Sequence, residues 1–397
     1  MTRPSGHVAV IGGGIAGCAV AHALERRGWT ATLIDRAGRL ASGASGNRVG
    51  LVMPRLTADD SLAGRFHSRA FLTTIGWLAG AKADVGSSRC GVLNLAETDA
   101  DTARFHKLAA TKSLPPGDVV LVSTNEASQR AGLPIHRPGL WFPNGHWVDP
   151  VALCVRLAGA SRCIPFTEVL AFHRDGSGWR VDGPSGPVAM ADHVVIANAM
   201  DAMRWPVTAV AALRAVRGQV TVIASTAVSR RLRCIVTGDG YLTPAIEGAH
   251  VAGATFDRRP NLLWDEPQSA DPNDDARNVN AAVSLLPSGF ADALPSCLWG
   301  RASLRATTRD HLPVAGPVPD PSTLSDPHWI RLPGKIDPLS VPAVSGLWLM
   351  TGLGSRGLTT ALWTAELVAA QIQGEAQGDR SMAAAIHPAR FAVRDRR

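Results

Sequence analysis

The sequence predicts an α/β fold in which a Rossmann-like, dinucleotide-binding domain is interleaved with a mainly antiparallel β-sheet domain that holds the substrate. Three observations carry this reading. A short apolar strand runs into the glycine-rich turn Gly12 to Gly17, an acid (Asp35) ends the next strand, and a second strand, glycine loop and helix follow near the C-terminus at Gly352 to Gly357.

Val8 to Ile11 is wholly apolar and reads as a strand buried on both faces. A helix follows to Gly28, with Ile15, Ala19, Val20, Ala23 and Leu24 at helical spacing. Arg26 and Arg27 suit its negative end, and Gly28 suits a left-handed stop. Ala31 to Ile34 is the second strand. Ser61 to Leu78 carries a helical stripe of Leu62, Phe66, Ala70, Phe71, Ile75 and Leu78, and Asp149-Pro150 opens a further helix. Thr167 to Phe172, Trp179 to Val181 and Val188 to Ala197 read as strands. The runs between Arg214 and Phe256 suggest a mostly antiparallel sheet, and the proline-rich stretch Pro317 to Pro342 a surface excursion. Gly346 to Thr351 reads as a strand and Leu358 to Ile372 as a helix. This order assigns 1–88, 146–203 and 301–397 to the cofactor domain and 89–145 and 204–300 to the substrate domain, with the ligand expected in the crevice between them.

The 397 residues carry 40 Lys and Arg against 33 Asp and Glu, a formal charge of +7, with 46% apolar and 18% charged residues. That excludes a disordered or fibrous chain. The basic balance permits a polyanionic partner, but Arg so outnumbers Lys that charge alone selects none. Six cysteines stand far apart without a CxxC pair, which excludes a zinc ribbon and a dense disulfide framework and fits a reducing compartment, by default the cytoplasm. The start imitates a signal peptide, yet the four glycines between Val8 and Leu24 make a poor secretory helix and a good phosphate loop. No other stretch approaches membrane length, so no membrane partner is expected. The histidines show no ligand spacing, so no metal is expected.

The glycines fit the dinucleotide fingerprint for steric reasons. Gly12 allows the tight turn, Gly14 lets backbone approach the pyrophosphate, and Gly17 permits close packing of helix on strand. Ile15 and Ala16 open a helix whose N-terminus faces phosphate. Asp35 lies 18 residues past Gly17, where an acid accepts from a ribose hydroxyl. This fingerprint does not separate NAD from FAD. The loop Gly352-Leu353-Gly354-Ser355-Arg356-Gly357 bears on the choice, because N–H groups at a helix start stabilise the negative charge of a reduced flavin; it reads equally well as a helix start built of small residues.

Several strings together resemble one family. Ala9 to Gly17, Ala44-Ser45-Gly46-Asn47-Arg48, Arg217-Gly218-Gln219-Val220, Asp239-Gly240-Tyr241-Leu242-Thr243-Pro244, Ala306 to Pro313 and Gly352 to Leu358 are similar to the FAD-dependent C-terminal domain of the bifunctional tRNA 5-methylaminomethyl-2-thiouridine biosynthesis protein. The resemblance implies a D-amino-acid-oxidase-like fold, the FAD cofactor, and a tRNA partner whose wobble 5-carboxymethylaminomethyl-2-thiouridine loses its carboxymethyl group as glyoxylate. The chain begins at the fingerprint, so a separate tRNA methyltransferase is expected to finish the pathway.

The resemblance also implies roles. Arg36 joins Asp35 at the cofactor. Ser42, Ser45, Gly46 and Asn47 cover the pyrophosphate and ribityl chain, and Gly50 and Leu51 approach the flavin ring. Val169, as a strand residue, meets adenine with its backbone. Ala197 and Asn198 pass the cofactor's middle, and Gly352, Leu353, Gly354, Ser355, Gly357 and Leu358 meet its ring end. Arg305 and Arg356 match carboxylate-binding arginines, and guanidinium is the planar fork for a carboxylate. Tyr241, the one tyrosine, closes the substrate carboxylate or amine. Asp310 and His311 invite a general-base reading, but a loop neighbourhood of this kind is more often structural. Two other functions compete: an oxidase or dehydrogenase for free glycine, sarcosine or another small amino acid, and a flavin- and tRNA-binding protein without oxidation chemistry.

Overall fold

The apolar tetrad Val8 to Ile11 lies within the strand His7–Ile11 of a computed structural model that describes residues 6–81, 85–110, 113–258, 266–286, 297–325, 336–375 and 379–394. Contacts divide the chain into two units. The first is Met1–Gly46 with Pro150–Ala215 and Arg305–Arg397; the second is Asn47–Asp149 with Val216–Leu304.

In the first unit, His7–Ile11 belongs to a six-stranded sheet in the order Val314–Pro319, Ala343–Thr351, His193–Ile196, His7–Ile11, Thr30–Ile34, Arg162–Ile164. Every neighbouring pair is parallel except Val314–Pro319 with Ala343–Thr351. Ala9 and Ile11 pack with Trp179, Val181 and Ala191 of a three-stranded antiparallel meander, Ala171–Asp175, Gly178–Gly183 and Gly186–Ala191. Val10 faces the opposite way, toward Gly17 of the helix Ile15–Glu25, which packs against Pro150–Ala158 and Gly357–Ile372. Both faces of the strand are covered, which is why it is apolar throughout.

Four expectations are corrected here. The first helix ends at Glu25 rather than Gly28, although Gly28 does take φ +82°. Arg27 donates to the Ala23 carbonyl (3.0 Å), and it and Arg26 reach across to Glu366, so their charges join two helices. Val188 to Ala197 is two strands, because at Asp192, whose N–H donates to the His7 carbonyl (2.9 Å), the chain passes from the meander into the parallel sheet. Residues 167–170 form a connection, and the strand begins at Ala171. The proline-rich stretch starts as the edge strand Val314–Pro319, with Val318 buried; Pro is tolerated at an edge because it needs no ladder donor there. Residues 326–335 of that stretch lie outside the described residues.

The second unit holds an eight-stranded sheet in the order Cys297–Thr307, Arg214–Ala224, Ala249–Gly253, Tyr241–Leu242, Ile235–Thr237, Val92–Leu95, Gly139–Phe142, Val120–Val122. Ile235–Thr237 and Val92–Leu95 run parallel within it. Segments 47–88, 146–149 and 301–304 belong to this unit and 204–215 to the first, which moves the expected boundaries. The reason for 47–88 is strand pairing: Gly50–Val52 and Ser87–Ser88 both pair with His146–Val148. The helix Leu62–Gly80 between them is capped by Ser61, whose hydroxyl accepts from Gly64 N–H at 3.3 Å.

The string Arg217-Gly218-Gln219-Val220 ties the helix Pro272–Ser284 to this sheet. Buried Arg217 pairs with buried Asp274 and donates to Gln219 Oε1 (3.0 Å) and the Ser269 carbonyl (2.7 Å). Gln219 and Thr221 both donate to Asp275 Oδ1, at 2.7 and 2.6 Å. Buried polar groups satisfied in this way define one placement of the helix. Among the described residues no helix is long and apolar enough to cross a membrane, and all six cysteines are free.

Candidate cofactor site

In the first unit the parallel strands His7–Ile11, Thr30–Ile34, His193–Ile196 and Ala343–Thr351 end on one edge. Gly12, Asp35, Ala197 and Gly352 follow those ends. Gly12 has φ +113°, and a Cβ there would stand 2.7 Å from the Ala197 carbonyl oxygen. A Cβ on Gly17 would stand 1.9 Å from the Gly12 carbonyl oxygen, so neither position admits a side chain. Gly14 is the extended N-cap of the first helix, without a side-chain cap of its own, and its absent Cβ faces only Ser45 Oγ at 3.3 Å. Ser45 Oγ accepts from Ile15 N–H at 3.0 Å. The first turn of that helix, which includes buried Ala16, carries no acid, so its positive end is open to an anion.

Asp35 is fixed by backbone: Oδ2 accepts from Gly13 N–H (2.5 Å) and Oδ1 from Ala37 N–H (2.8 Å). Each oxygen keeps a lone pair for a further donor such as a ribose hydroxyl. Arg36 instead forms an ion pair with Asp201 at 3.1 Å. Burial raises the Asp201 carboxyl above its ordinary range, outweighing Arg36 and Arg204. Ser42 Oγ donates to the Arg39 carbonyl (2.8 Å), and Gly46 closes the turn Ala44–Gly46. Buried Val169 lies in the connection before Ala171, not in a strand; Thr167 N–H, donating to the Asp35 carbonyl (2.9 Å), holds that connection beside the edge. Ala197 continues the edge, its N–H donating to the Ile11 carbonyl (2.8 Å). Next to it, the buried Asn198 Oδ1 has no hydrogen-bond partner among the described residues. Such an oxygen needs a donor.

The C-terminal loop meets the same edge. Gly352 and Gly354 take φ +71° and +59° and lie on Thr308 and Thr307, whose Cγ2 atoms are 3.0 and 3.6 Å from where their Cβ atoms would be. The helix Gly357–Ile372 starts beside the first helix, Gly357 facing Ile15 Cγ2 at 3.2 Å, so two helix N-termini without first-turn acids adjoin. Ser355 is exposed, and Leu353 and Leu358 are half-buried. Half-buried Arg356 caps this helix start; its carbonyl accepts from Thr360 Oγ1 at 3.0 Å. Arg305 is half-buried on Cys297–Thr307, two residues before Thr307 and so on the strand face that meets Gly354. Thr307 and Thr308, which wall the glycine loop, received no role from the sequence, although they stand inside one of the family strings.

Asn47, Gly50, Leu51 and Tyr241 belong to the second unit. Asn47 Oδ1 accepts from Arg301 Nη1 at 2.9 Å, and Gly50 and Leu51 pair with Val148 and Trp147. Tyr241 pairs with Gly253, where a Cβ would come within 3.2 Å of the ring and its hydroxyl; glycine there makes room for the tyrosine. Asp310 is committed elsewhere, to a two-point pair with fully buried Arg390 (2.9 and 3.0 Å). A cavity of about 600 Å³ lined by His7, Trp29, Thr30, Arg162 and Met190 opens where the strands begin, away from the glycine loops. No metal-binding group occurs among the described residues.

The edge fits a dinucleotide: a cradle that side chains would fill, two positive helix ends, an acid with free lone pairs and an orphaned buried oxygen. Residues 7–371 match the family described as FAD dependent oxidoreductase. The chain belongs to this FAD-dependent oxidoreductase family. It is 35% identical over 401 residues to the tRNA 5-methylaminomethyl-2-thiouridine biosynthesis bifunctional protein of Methylobacillus flagellatus, covering 98% of this chain and 60% of the relative. For the relative of the same name in Chromohalobacter salexigens the figures are 36% identity, 99% and 57%. The chain thus spans about 60% of the length of the curated relatives it matches. Among solved structures, glycine oxidase from Geobacillus kaustophilus superposes with a TM-score of 0.75 at 18% identity, over 96% of this chain and 98% of that one. Iminodiacetate oxidase from Chelativorans sp. BNC1 gives 0.71 at 24%, over 94% and 96%. These structures establish the fold of this flavin oxidoreductase, and its cofactor is FAD.

Proposed function

We propose that this flavin oxidoreductase acts on the CH–NH unit of a tRNA wobble base, converting 5-carboxymethylaminomethyl-2-thiouridine to 5-aminomethyl-2-thiouridine and releasing glyoxylate. The observation that carries the reading is identity of about 35% across nearly the whole chain to relatives named for biosynthesis of this tRNA base. The substituent is an N-substituted glycine, so its oxidation is chemically that of an amino acid. FAD, when bound, supplies the two-electron acceptor.

The residues of the first unit hold the reactants. The N–H groups of Gly14 and Ala16, with the Ser45 hydroxyl that the Ile15 N–H holds in place, would bind the pyrophosphate, Asp35 would accept from the ribose, and Asn198 Oδ1 would take a hydroxyl donor from the cofactor. The N-terminus of the helix Gly357–Ile372 would supply positive potential that favours the negative charge of a reduced flavin. Arg305 and Arg356 fix the substrate carboxylate, which orients the adjoining methylene and secondary amine.

Arg356→Ala therefore keeps FAD and loses about 2–3 kcal/mol of carboxylate recognition, roughly 30- to 150-fold in kcat/KM, measured as anaerobic flavin reduction. Unchanged reduction kinetics would remove Arg356 from the site. The function itself is tested by nucleoside mass spectrometry of tRNA from a deletion strain. Accumulated 5-carboxymethylaminomethyl uridines support it. A normal nucleoside profile, with turnover of free glycine or sarcosine alone, sinks it.

A further inference from the structure

We propose that an arginine cluster in the second unit, formed where segments 124–137 and 225–233 meet, grips the phosphate backbone of the RNA substrate; the proposal rests on the tRNA reading above. The two segments hold Arg130, Arg137, Arg230, Arg231 and Arg233 against one carboxylate, Glu126. They are joined by backbone. Arg233 N–H donates to the Ala131 carbonyl at 2.9 Å. Gly132, left-handed at φ +74° as it ends the helix Thr124–Ala131, lies under the second segment; a Cβ there would stand 2.5 Å from the Arg231 carbonyl oxygen and 3.0 Å from Arg233 Cδ.

This contact brings Arg231 and Arg233 against the helix end that carries Arg130. Arg130, Arg230, Arg231 and Arg233 are exposed, and among the described residues none of the five has a carboxylate within ion-pair distance. Glu126 is engaged in the capping box at the far end of its helix, accepting from Ser123 N–H (2.8 Å) and Oγ (2.7 Å). Arg130 lies over the Trp141 ring at 5.5 Å, and Arg230 Nε donates to Ser225 Oγ (2.9 Å), so two of the guanidinium groups are already oriented.

Some exposed arginines elsewhere are paired, Arg26 with Glu366, Arg180 with Asp182, Arg277 with Asp257 and Asp274, Arg380 with Asp337. Others, such as Arg39, Arg89 and Arg162, are exposed without an ion pair among the described residues but are not gathered at one such junction. Five arginines gathered around the one carboxylate of Glu126, which feels the charge of Arg130, leave a net positive surface that matches a polyanion. Guanidinium forks suit phosphate oxygens, and a run of them reads backbone without sequence.

The test is binding of a tRNA carrying the 5-carboxymethylaminomethyl wobble uridine to FAD-loaded protein over a series of salt concentrations. Losing two phosphate contacts in Arg231→Gln/Arg233→Gln lowers the slope of log K against log salt by about 1.4–1.8 and weakens binding about tenfold or more near physiological salt. FAD content and flavin reduction by the free modified nucleoside stay at parental values. Arg231→Lys/Arg233→Lys keeps most of the slope, which separates lost charge from lost folding. A glutamine variant with parental affinity and slope overturns the proposal. So does a cluster that binds phosphatidylserine vesicles but leaves tRNA affinity unchanged on substitution. If the FAD-loaded parent neither binds the tRNA nor is reduced by the nucleoside, it is the tRNA reading that fails.

Discussion

Gly17→Ala protein emerges from purification with little flavin. The new Cβ would stand 1.9 Å from the Gly12 carbonyl oxygen, a backbone atom that cannot swing aside. Relief requires moving the helix Ile15–Glu25 off the strand His7–Ile11 or twisting the turn between them. Either movement shifts the helix start at Ile15 and Ala16, whose N–H end is proposed to meet the pyrophosphate. Overpacking of this kind costs about 1–3 kcal/mol in the apoprotein, and misaligned donors weaken FAD about tenfold for each 1.4 kcal/mol lost. Gly14→Ala separates the two effects. Its Cβ meets only the Ser45 hydroxyl at 3.3 Å, which a rotamer change clears, so the apoprotein melts near the parental temperature while FAD affinity falls through the blocked backbone approach. Flavin absorbance after dialysis and apoprotein melting measure both. Parental flavin content and melting temperature in Gly17→Ala would remove the turn from the cofactor site.

The first 35 residues were legible because their constraints are local. A buried strand must be apolar, a turn under a helix must lack side chains, and the acid follows within one strand. Legibility fell where long-range pairing decides. Val188 to Ala197 is one apolar run in sequence, yet it serves two sheets, and only the hydrogen bond from Asp192 N–H to the His7 carbonyl marks the change. Residues 47–88 leave the first unit because Gly50–Val52 finds a partner almost a hundred residues on, which no periodicity within the segment announces. Gly12 and Gly14 lie in the turn between strand and helix, Gly17 in the first turn of that helix, and Asp35 follows the next strand, local features readable from spacing. The ion pair of Arg36 with Asp201 instead joins residues far apart in sequence. Distinctive strings also need not be chemical. Arg217-Gly218-Gln219-Val220 is a buried polar seam holding a helix.

Arg390→Met is the substitution expected to destabilise the first unit most. The guanidinium is fully buried. It makes a two-point pair with Asp310 and donates to the carbonyls of Ile386 (3.0 Å), His387 (3.4 Å) and Leu312 (3.0 Å), with its Cζ 4.1 Å from the centre of the Phe391 ring. Removing one partner of a fully buried pair costs about 3–5 kcal/mol; the Asp310 side chain left behind is 25% exposed and regains some water, so the cost here falls at or below the lower end of that range. Burial alone raises the Asp310 carboxyl, but the hydrogen bonds and charge of Arg390 outweigh it and hold the group below its ordinary range. The pair's contribution is then fully present above the unfolded carboxyl value of about 3.9 and fades as pH falls through the lowered folded value. Urea unfolding at neutral pH should therefore show the whole difference between parent and variant, and the gap should narrow below about pH 4. Replacing both partners, Asp310→Leu with Arg390→Met, should cost less than Arg390→Met alone, since no charge remains to strand. The Leu312 turn next to Thr307 and Thr308 is tied to this pair through Asp310 and the Leu312 carbonyl, so loosening it also loosens the wall behind Gly352 and Gly354. A single variant within about 1 kcal/mol of the parent, or a gap that does not change with pH, would show that Asp310 is not held by Arg390 and would return it to candidacy as a base.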